Sequence, residues 1–418
     1  MVYGMERTDA YDVIVIGGGA SGLMAAGTAA ARGRRVLLLE KNPKLSEKLR
    51  ISGGRRCNIT NAEKDEKKLL AHYGTSEKFL HSAFARFGVE DTFGFFDSLG
   101  LPLVIQARNR AFPHTERAED VCAVLETYCR EQGVDIRLGS KASMRVEADG
   151  TLSGVAVGPK TYRAESYILA TGGVSHPETG STGDGFKWLK ALGHTVKDPT
   201  PTIVPLKTKE GWSKKLSGIT IPNAKITFYT DGIKSFSRSG DVLLTHFGVS
   251  GPLILNAAAQ VSDLLHAGVV TMRIDLHSTL DLGILDKHLT SIFDANKNKA
   301  LKNVFKEVVP PGMSEALLAL LPAIDPEKKV HSITKEERRL LAELLKAVPL
   351  TISGLMGYDR AVVADGGVPL EEIDMRTMRS IRIQNLFVTG DLLHITRPSG
   401  GYSLQLCWTT GFIAGSEA

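Results

Sequence analysis

The apolar positions of the chain fall into short runs broken by glycine. Residues 11–16 form a β-rich run (Tyr-Asp-Val-Ile-Val-Ile) that ends at Gly17-Gly18-Gly19. The alanine-rich stretch 20–31 has high helix propensity and stops near Gly33. A second apolar run, 35–39, ends at Glu40. Strand, glycine turn, helix and strand in this order predict a parallel βαβ unit. Further on, the runs at 134–138, 142–147, 152–157 and 161–164 are short and separated by turn residues. They predict a β-meander. A strand at 167–170 then leads into Thr171-Gly172-Gly173. Near the C-terminus, Leu386-Phe387-Val388-Thr389-Gly390-Asp391 predicts a strand, and 403–414 an apolar helix. Between these ends, 199–276 is rich in strand-like runs and 277–346 is mostly helical.

Composition narrows the function class. A chain of 418 residues has room for two or three domains. Its formal charge of +5 is small for that length and gives weak support for nucleic-acid binding. The basic stretches 32–35, 48–56 and 297–306 are too short and too poor in aromatics to read as an RNA platform, and the third reads as a solvated face. No apolar stretch reaches the ~18 residues of a membrane span. Residues 1–10 precede the first strand without an export-signal pattern. The four cysteines form no CxxC pair and no metal-ligand spacing. Cys122 and Cys129, seven apart on one helix face, read as core. These features predict a cytoplasmic protein with a small-molecule substrate, no metal, no membrane partner and no nucleic acid. The oligomeric state is not legible.

The first glycine cluster carries chemistry. Gly17, Gly19 and Gly22 fit GxGxxG with a strand before, a helix after and an acid at the end of the second strand. Gly17 permits the tight turn, Gly19 lets a pyrophosphate approach the backbone, and Gly22 lets helix and strand pack closely. Ala20 and Ser21 lie in the first turn, whose free N–H groups attract phosphate. Glu40 would accept from ribose hydroxyls and repel a 2′-phosphate, so FAD or NAD is expected here rather than NADP. The bland alternative is a glycine turn that binds nothing.

Other segments favour FAD. A meander followed by Ala170-Thr171-Gly172-Gly173 resembles the FAD domain of the glutathione-reductase superfamily. There a strand ending in Gly-Asp, matched by Gly390-Asp391, places its carboxylate on the ribityl chain. Pro398-Ser399-Gly400-Gly401-Tyr402 opens the last helix. Its N–H groups are expected to face the flavin's pyrimidine end and favour the charge that develops there on reduction. Residues 190–350 contain no second strand–glycine–helix unit, so any NAD(P)H would visit the flavin only transiently.

Longer motifs sharpen the resemblance. They are Lys48-Leu-Arg-Ile-Ser-Gly-Gly-Arg-Arg-Cys-Asn-Ile-Thr-Asn61, the run from Ala170 through His176 to Gly185, Asp365-Gly-Gly-Val, Thr377-Met-Arg-Ser380 and Ser399-Gly-Gly-Tyr-Ser-Leu-Gln405. Together these resemble the BaiN-like flavoprotein family, also called the YhiN or aminoacetone-oxidase type, over nearly the whole chain. The resemblance implies an α/β fold: a glutathione-reductase-type, FAD-binding Rossmann domain with an inserted small β-barrel and a helical subdomain. The FAD domain would comprise 1–198 and 350–418, the barrel 199–276 with completion near 347–355, and the helical part 277–346. It also implies non-covalent FAD held in part by Lys41, Lys48, Ser52, Gly53, Gly54, Arg56, Cys57 and Asn58. Arg56, Cys57 and His394 are the candidates to line the reacting face. The chain departs from the family's usual pattern at Arg55, where glycine is usual, at Asp391, where Glu is common, and at Ser403, where Asn is common. In Leu243-Leu-Thr-His-Phe-Gly-Val-Ser-Gly-Pro252, His246 is either a substrate contact or a hydrogen-bonded structural residue.

The implied activity is an FAD-dependent oxidoreductase acting on a small organic substrate, as an NAD(P)H-linked reductase. One alternative is a flavin amine oxidase that passes electrons to O2. A second is a flavin-dependent RNA-modifying protein. A disulfide reductase is disfavoured, because Cys57 has no sequence-near partner.

Overall fold

The computed structural model describes residues 10–147 and 152–418. Residues 1–9, which precede the first predicted strand, and 148–151 lie outside the described residues. The chain divides into two compact units, Met1–Pro201 with Val362–Ala418, and Thr202–Ala361.

The first unit is built on five parallel strands: β1 (Ala10–Ile16), β2 (Val36–Leu39), β3 (Asp135–Arg137), β4 (Lys160–Leu169) and β5 (Leu386–Val388). Their order is β3-β2-β1-β4-β5, the doubly wound arrangement of dinucleotide-binding sheets. Every residue of β2 and β5 is buried, as expected where both faces of a parallel sheet are covered. The first helix, Ala20–Ala31, and the last, Tyr402–Glu417, lie against each other through small residues. A Cβ on Gly411 would fall 2.5 Å from the Ser21 carbonyl oxygen, and one on Gly415 2.3 Å from that of Ala25. Only glycine allows this approach, so the two ends of the chain form one layer.

Two expectations need correction. The 134–138 run is not part of the meander. As β3 it pairs in parallel with β2, Leu38 opposite Ile136. The helix Ala118–Glu131, which buries Cys122 and Cys129, leads into it. The runs 161–164 and 167–170 are also one strand rather than two. The start of β4 pairs antiparallel with Leu152–Val157, and its end pairs in parallel with β1. Strand propensity is the same in both pairings, and partner choice is set by residues far away in sequence.

The return of the chain is held by a buried polar cluster. His194 Nδ1 lies 2.6 Å from Glu372 Oε2, and Ser380 Oγ 2.8 Å from His194 Nε2. Glu372 also accepts from Arg382 Nη2 at 2.9 Å. Burial pushes the Glu372 carboxyl up, but Arg382, Thr195 and His194 hold it at about 2. Burial pushes the His194 imidazole below its ordinary value, against the opposing pull of Glu372.

In the second unit, six strands close a barrel in the order Leu206–Thr208, Gly248–Ser250, Ile233–Thr245, Thr220–Thr230, Val270–Asp275 and Val348–Leu355. The helix Pro252–Ala267 touches all six and buries Ile254, Ala257, Ala258 and Val261. Val348–Leu355 pairs back onto Leu206–Thr208, and residues 356–361, expected with the nucleotide domain, fall in this unit as well. The helical stretch shares one apolar core with the barrel: Leu285, Leu289, Leu341 and Leu345 pack with Ile226, Met272 and Leu350. His246 is exposed on the barrel, edge-on to Phe247 at 4.9 Å.

Candidate flavin site

The glycine turn after β1 is shaped by contact. A Cβ on Gly17 would lie 2.4 Å from the Ala170 carbonyl oxygen, and one on Gly22 1.9 Å from that of Gly17. Gly17 also has φ +109°. Gly19 differs, because a Cβ there would meet no atom within 4 Å. The turn is therefore compact behind and open in front, at the N-terminus of Ala20–Ala31, where an anion is favoured. Ser21 is buried, with its hydroxyl 3.2 Å from Thr389 Oγ1. Glu40 ends β2 as expected, and its carboxylate accepts from Gly18 N at 2.6 Å and Asn42 N at 2.8 Å. Lys41 Nζ lies 2.7 Å from Asp184 Oδ2 and 2.6 Å from Thr182 Oγ1. Ala170 is buried beneath the turn, and Gly172 takes φ +70° beside Ser181.

A compact charge cluster sits where β5 ends. Gly390 adopts φ +60°, and Asp391 follows it. Lys48 Nζ contacts Asp391 Oδ2 at 3.0 Å and Ser175 Oγ at 2.7 Å. The Arg397 guanidinium, 1% exposed, donates to Asp391 Oδ1, to Ser403 Oγ at 3.1 Å and to the Ile395 carbonyl at 2.6 Å. Burial raises the Asp391 carboxyl, yet the Lys48 and Arg397 charges hold it at about 2. Two cations around one carboxylate leave the cluster net positive. Gly400 (φ +119°) and Gly401 (φ +105°) open the last helix, and a Cβ on Gly401 would lie 2.3 Å from the Thr60 carbonyl carbon. The Tyr402 carbonyl accepts from the buried Tyr73 hydroxyl at 2.9 Å. Burial pushes the Tyr402 phenol up to about 12. Arg397, Ser175 and Tyr73 were not singled out in the sequence. An arginine before Pro-Ser-Gly-Gly reads as a solvated loop residue, and no local pattern reveals its burial.

The segment 52–58 runs between these anchors. Lys48, on the helix Glu47–Arg55, reaches Asp391 on one side, and Thr60 meets Gly401 on the other. Ser52 is extended (ψ 149°) and donates to the Leu49 carbonyl at 2.7 Å. Gly53, Gly54 and Arg55 are all left-handed, φ +55°, +68° and +68°. For Arg55 that conformation costs roughly 1–2 kcal/mol. Arg56 is tied to Glu116 (Nε to Oε2, 2.9 Å) and Gln106, with its guanidinium 4.3 Å above the Phe112 ring centre. Cys57, a candidate for the reacting face, is fully buried, and burial pushes its thiol up to about 12. Its side chain is not accessible and packs in the core of the first unit. His394 is half-buried, with Nε2 3.3 Å from Lys197 Nζ, and burial and that charge lower its imidazole from the ordinary value.

FAD fits this arrangement. Gly19 leaves a space that a side chain would fill, beside the free N–H groups of a helix. Thr171 Oγ1 and Asn58 Oδ1 are shielded from solvent without a hydrogen-bond partner, and both belong to the converging segments. Gly17–Gly22 and Glu40 would hold the adenosine diphosphate half. Lys48, Asp391, Gly400, Gly401 and Tyr402 would hold the flavin half. Among the described residues, no cluster of His, Cys, Asp or Glu could hold a metal ion, and no helix is long and apolar enough to cross a membrane.

A doubly wound sheet with its glycine turn and a Gly-Asp strand end define an FAD-binding Rossmann oxidoreductase. The chain belongs to the HI0933-like protein Rossmann domain family, which matches residues 11–417. It is 29% identical over 413 residues to the 3-dehydro-bile acid delta(4,6)-reductase of Clostridium scindens, covering 97% of this chain and 98% of that protein. It is 29% identical over 405 residues to the ribosomal RNA dihydrouridine synthase of Haemophilus influenzae, covering 96% of each. Its fold is like that of 3-ketosteroid-delta4-(5alpha)-dehydrogenase from Rhodococcus jostii, with TM-score 0.54, 14% identity and coverage of 99% and 98%.

Proposed function

We propose that this chain reduces a carbon–carbon double bond conjugated to a carbonyl, with NAD(P)H as the transient electron donor. The observation that carries the reading is a shared bond type. One full-length relative is named as a delta(4,6)-reductase of a 3-dehydro-bile acid and the other as a dihydrouridine synthase. Both names describe hydrogen added across a double bond next to a carbonyl, although the two substrates have little else in common. When bound, FAD supplies the hydride chemistry.

The chain's own residues supply placement and charge. The turn Gly17–Gly22 seats the diphosphate against the first helix. Lys48 and Arg397, with one carboxylate between them, present net positive charge. Fixed positive charge stabilises an anion that develops in a site shielded from water. Asp391, held ionised, fixes both cations in place. His394 Nε2 lies 3.3 Å from Lys197 Nζ, and burial and that charge lower its imidazole from the ordinary value.

Anaerobic stopped-flow bleaching of the yellow protein tests this reading. NADH or NADPH should bleach it, and a conjugated enone or a uridine-containing RNA should then restore the colour. Bleaching by small amines, with H2O2 on readmission of air and no response to NAD(P)H, would replace the reductase by an amine oxidase. Re-oxidation by RNA alone would select the uridine reading over the small-molecule one.

A further inference from the structure

Arg55 is an arginine on a backbone that favours glycine. It is the third of three successive left-handed residues. No local contact offsets the strain: Arg55 is exposed, and its guanidinium has no hydrogen bond or ion pair among the described residues. The neighbouring arginine behaves in the opposite way, since Arg56 is consumed by Glu116 and Gln106 and sits over the Phe112 ring. Arg110 reaches the same ring, at 5.8 Å, and its Nε donates only to the Ala107 carbonyl. Glu116 is thus taken up by Arg56, while Arg55 has no such partner. The loop that carries Arg55 is pinned at both ends to the candidate flavin site, through Lys48 on Asp391 and Thr60 against Gly401.

We propose that Arg55 binds the 2′-phosphate of NADPH and makes the protein prefer NADPH to NADH. This rests on the NAD(P)H-linked reading above. The usual device for choosing between the two donors is the residue that ends the second strand of a Rossmann unit. Here that residue is Glu40, and it faces the FAD turn. Among residues 202–361 the strands close an antiparallel barrel with no parallel strand–helix–strand unit, so the donor is taken to be recognised outside a second Rossmann turn. A phosphate monoester is a dianion with three acceptor oxygens, and a guanidinium matches it with paired N–H donors. An exposed, unpaired arginine beside the flavin site suits that ligand. NADH lacks the group and is the natural control.

The test uses the FAD-loaded protein, with anaerobic single-turnover bleaching at varied NADPH and NADH. Arg55→Gly removes the charge and suits the left-handed backbone, so the fold should be kept and the melting temperature should not fall. The apparent Kd for NADPH should rise about tenfold or more, as for loss of a charged hydrogen bond. The Kd for NADH and the limiting rate at saturation should not change. Arg55→Lys, which keeps the charge without the planar fork, should fall between. In the unaltered protein, 2′,5′-ADP should compete with NADPH better than 5′-ADP does. Equal use of the two donors, or a preference that survives Arg55→Gly, overturns the assignment and leaves the reductase reading standing. Bleaching by neither nucleotide overturns the reductase reading itself, and the assignment with it.

Discussion

Replacing Asp391 by Asn removes the one negative charge between Lys48 and Arg397 while keeping the side chain's shape. The Asp391 carboxyl is held at about 2 against an ordinary 3.8. Each tenfold change in proton affinity is worth about 1.4 kcal/mol, so the difference corresponds to about 2.5 kcal/mol of folding stability. The Asp391 side chain is only 14% exposed, and solvent screening is therefore slight. Arg397 gives a second route to the magnitude, since it is 1% exposed and would be left without its counter-charge. Breaking a buried pair in this way costs about 3–5 kcal/mol. The expected loss for Asp391→Asn at pH 7 is therefore about 3 kcal/mol. The sign with pH follows from the depressed carboxyl. Its contribution is complete above the ordinary value and disappears as pH falls through about 2. Denaturant unfolding of both proteins at pH 7 and at several values below pH 4 reads this directly. The gap between the two should be wide at pH 7 and narrow in acid. A variant within about 0.5 kcal/mol of the parent at pH 7, the scale of an ordinary surface change, would refute the argument, as would a gap that does not narrow.

Other outcomes follow from single contacts. Gly19→Val should fold normally, because a Cβ there meets no atom within 4 Å, but should purify colourless; a normal flavin content would move the diphosphate elsewhere. His194→Gln should cost about 2–3 kcal/mol by removing the buried imidazole that bridges the Glu372 carboxylate and the Ser380 hydroxyl. The lowered imidazole pKa gives stability that is complete above the ordinary 6.5 and lost as pH falls below it, so the variant should lack that acid-sensitive step in a melting series; an unchanged series would remove His194 from the cluster's energetics. Cys57 should resist thiol reagents at pH 8 until the protein is unfolded, and rapid labelling of native protein, located by peptide mapping, would contradict its burial.

The nucleotide turn was legible because local chemistry determines it. A glycine that touches a neighbouring carbonyl, such as Gly17 or Gly22, leaves a fixed spacing in the sequence. The Gly390-Asp391 strand end was legible for the same reason. Pairing was not, because β3 and the strands Ala142–Val146 and Leu152–Val157 have similar propensities and differ only in their partners. Barrel closure joins Leu206–Thr208 to Val348–Leu355, two runs far apart in the chain, so the expectation of completion near 347–355 came from the family resemblance and not from a local pattern. The misreading of Cys57 has a related cause. The residue was set at the reacting face by the family resemblance, and no local pattern in residues 55–58 shows that its side chain is fully buried. Arg397 is the reverse case, a charged loop residue buried by a partner six residues away.

Flavin content measures the central claim most directly. Protein purified and then incubated with excess FAD should be yellow after gel filtration, and after acid release should yield one FAD per chain. Correctly folded protein that stays colourless and takes up no flavin on such incubation would contradict the account.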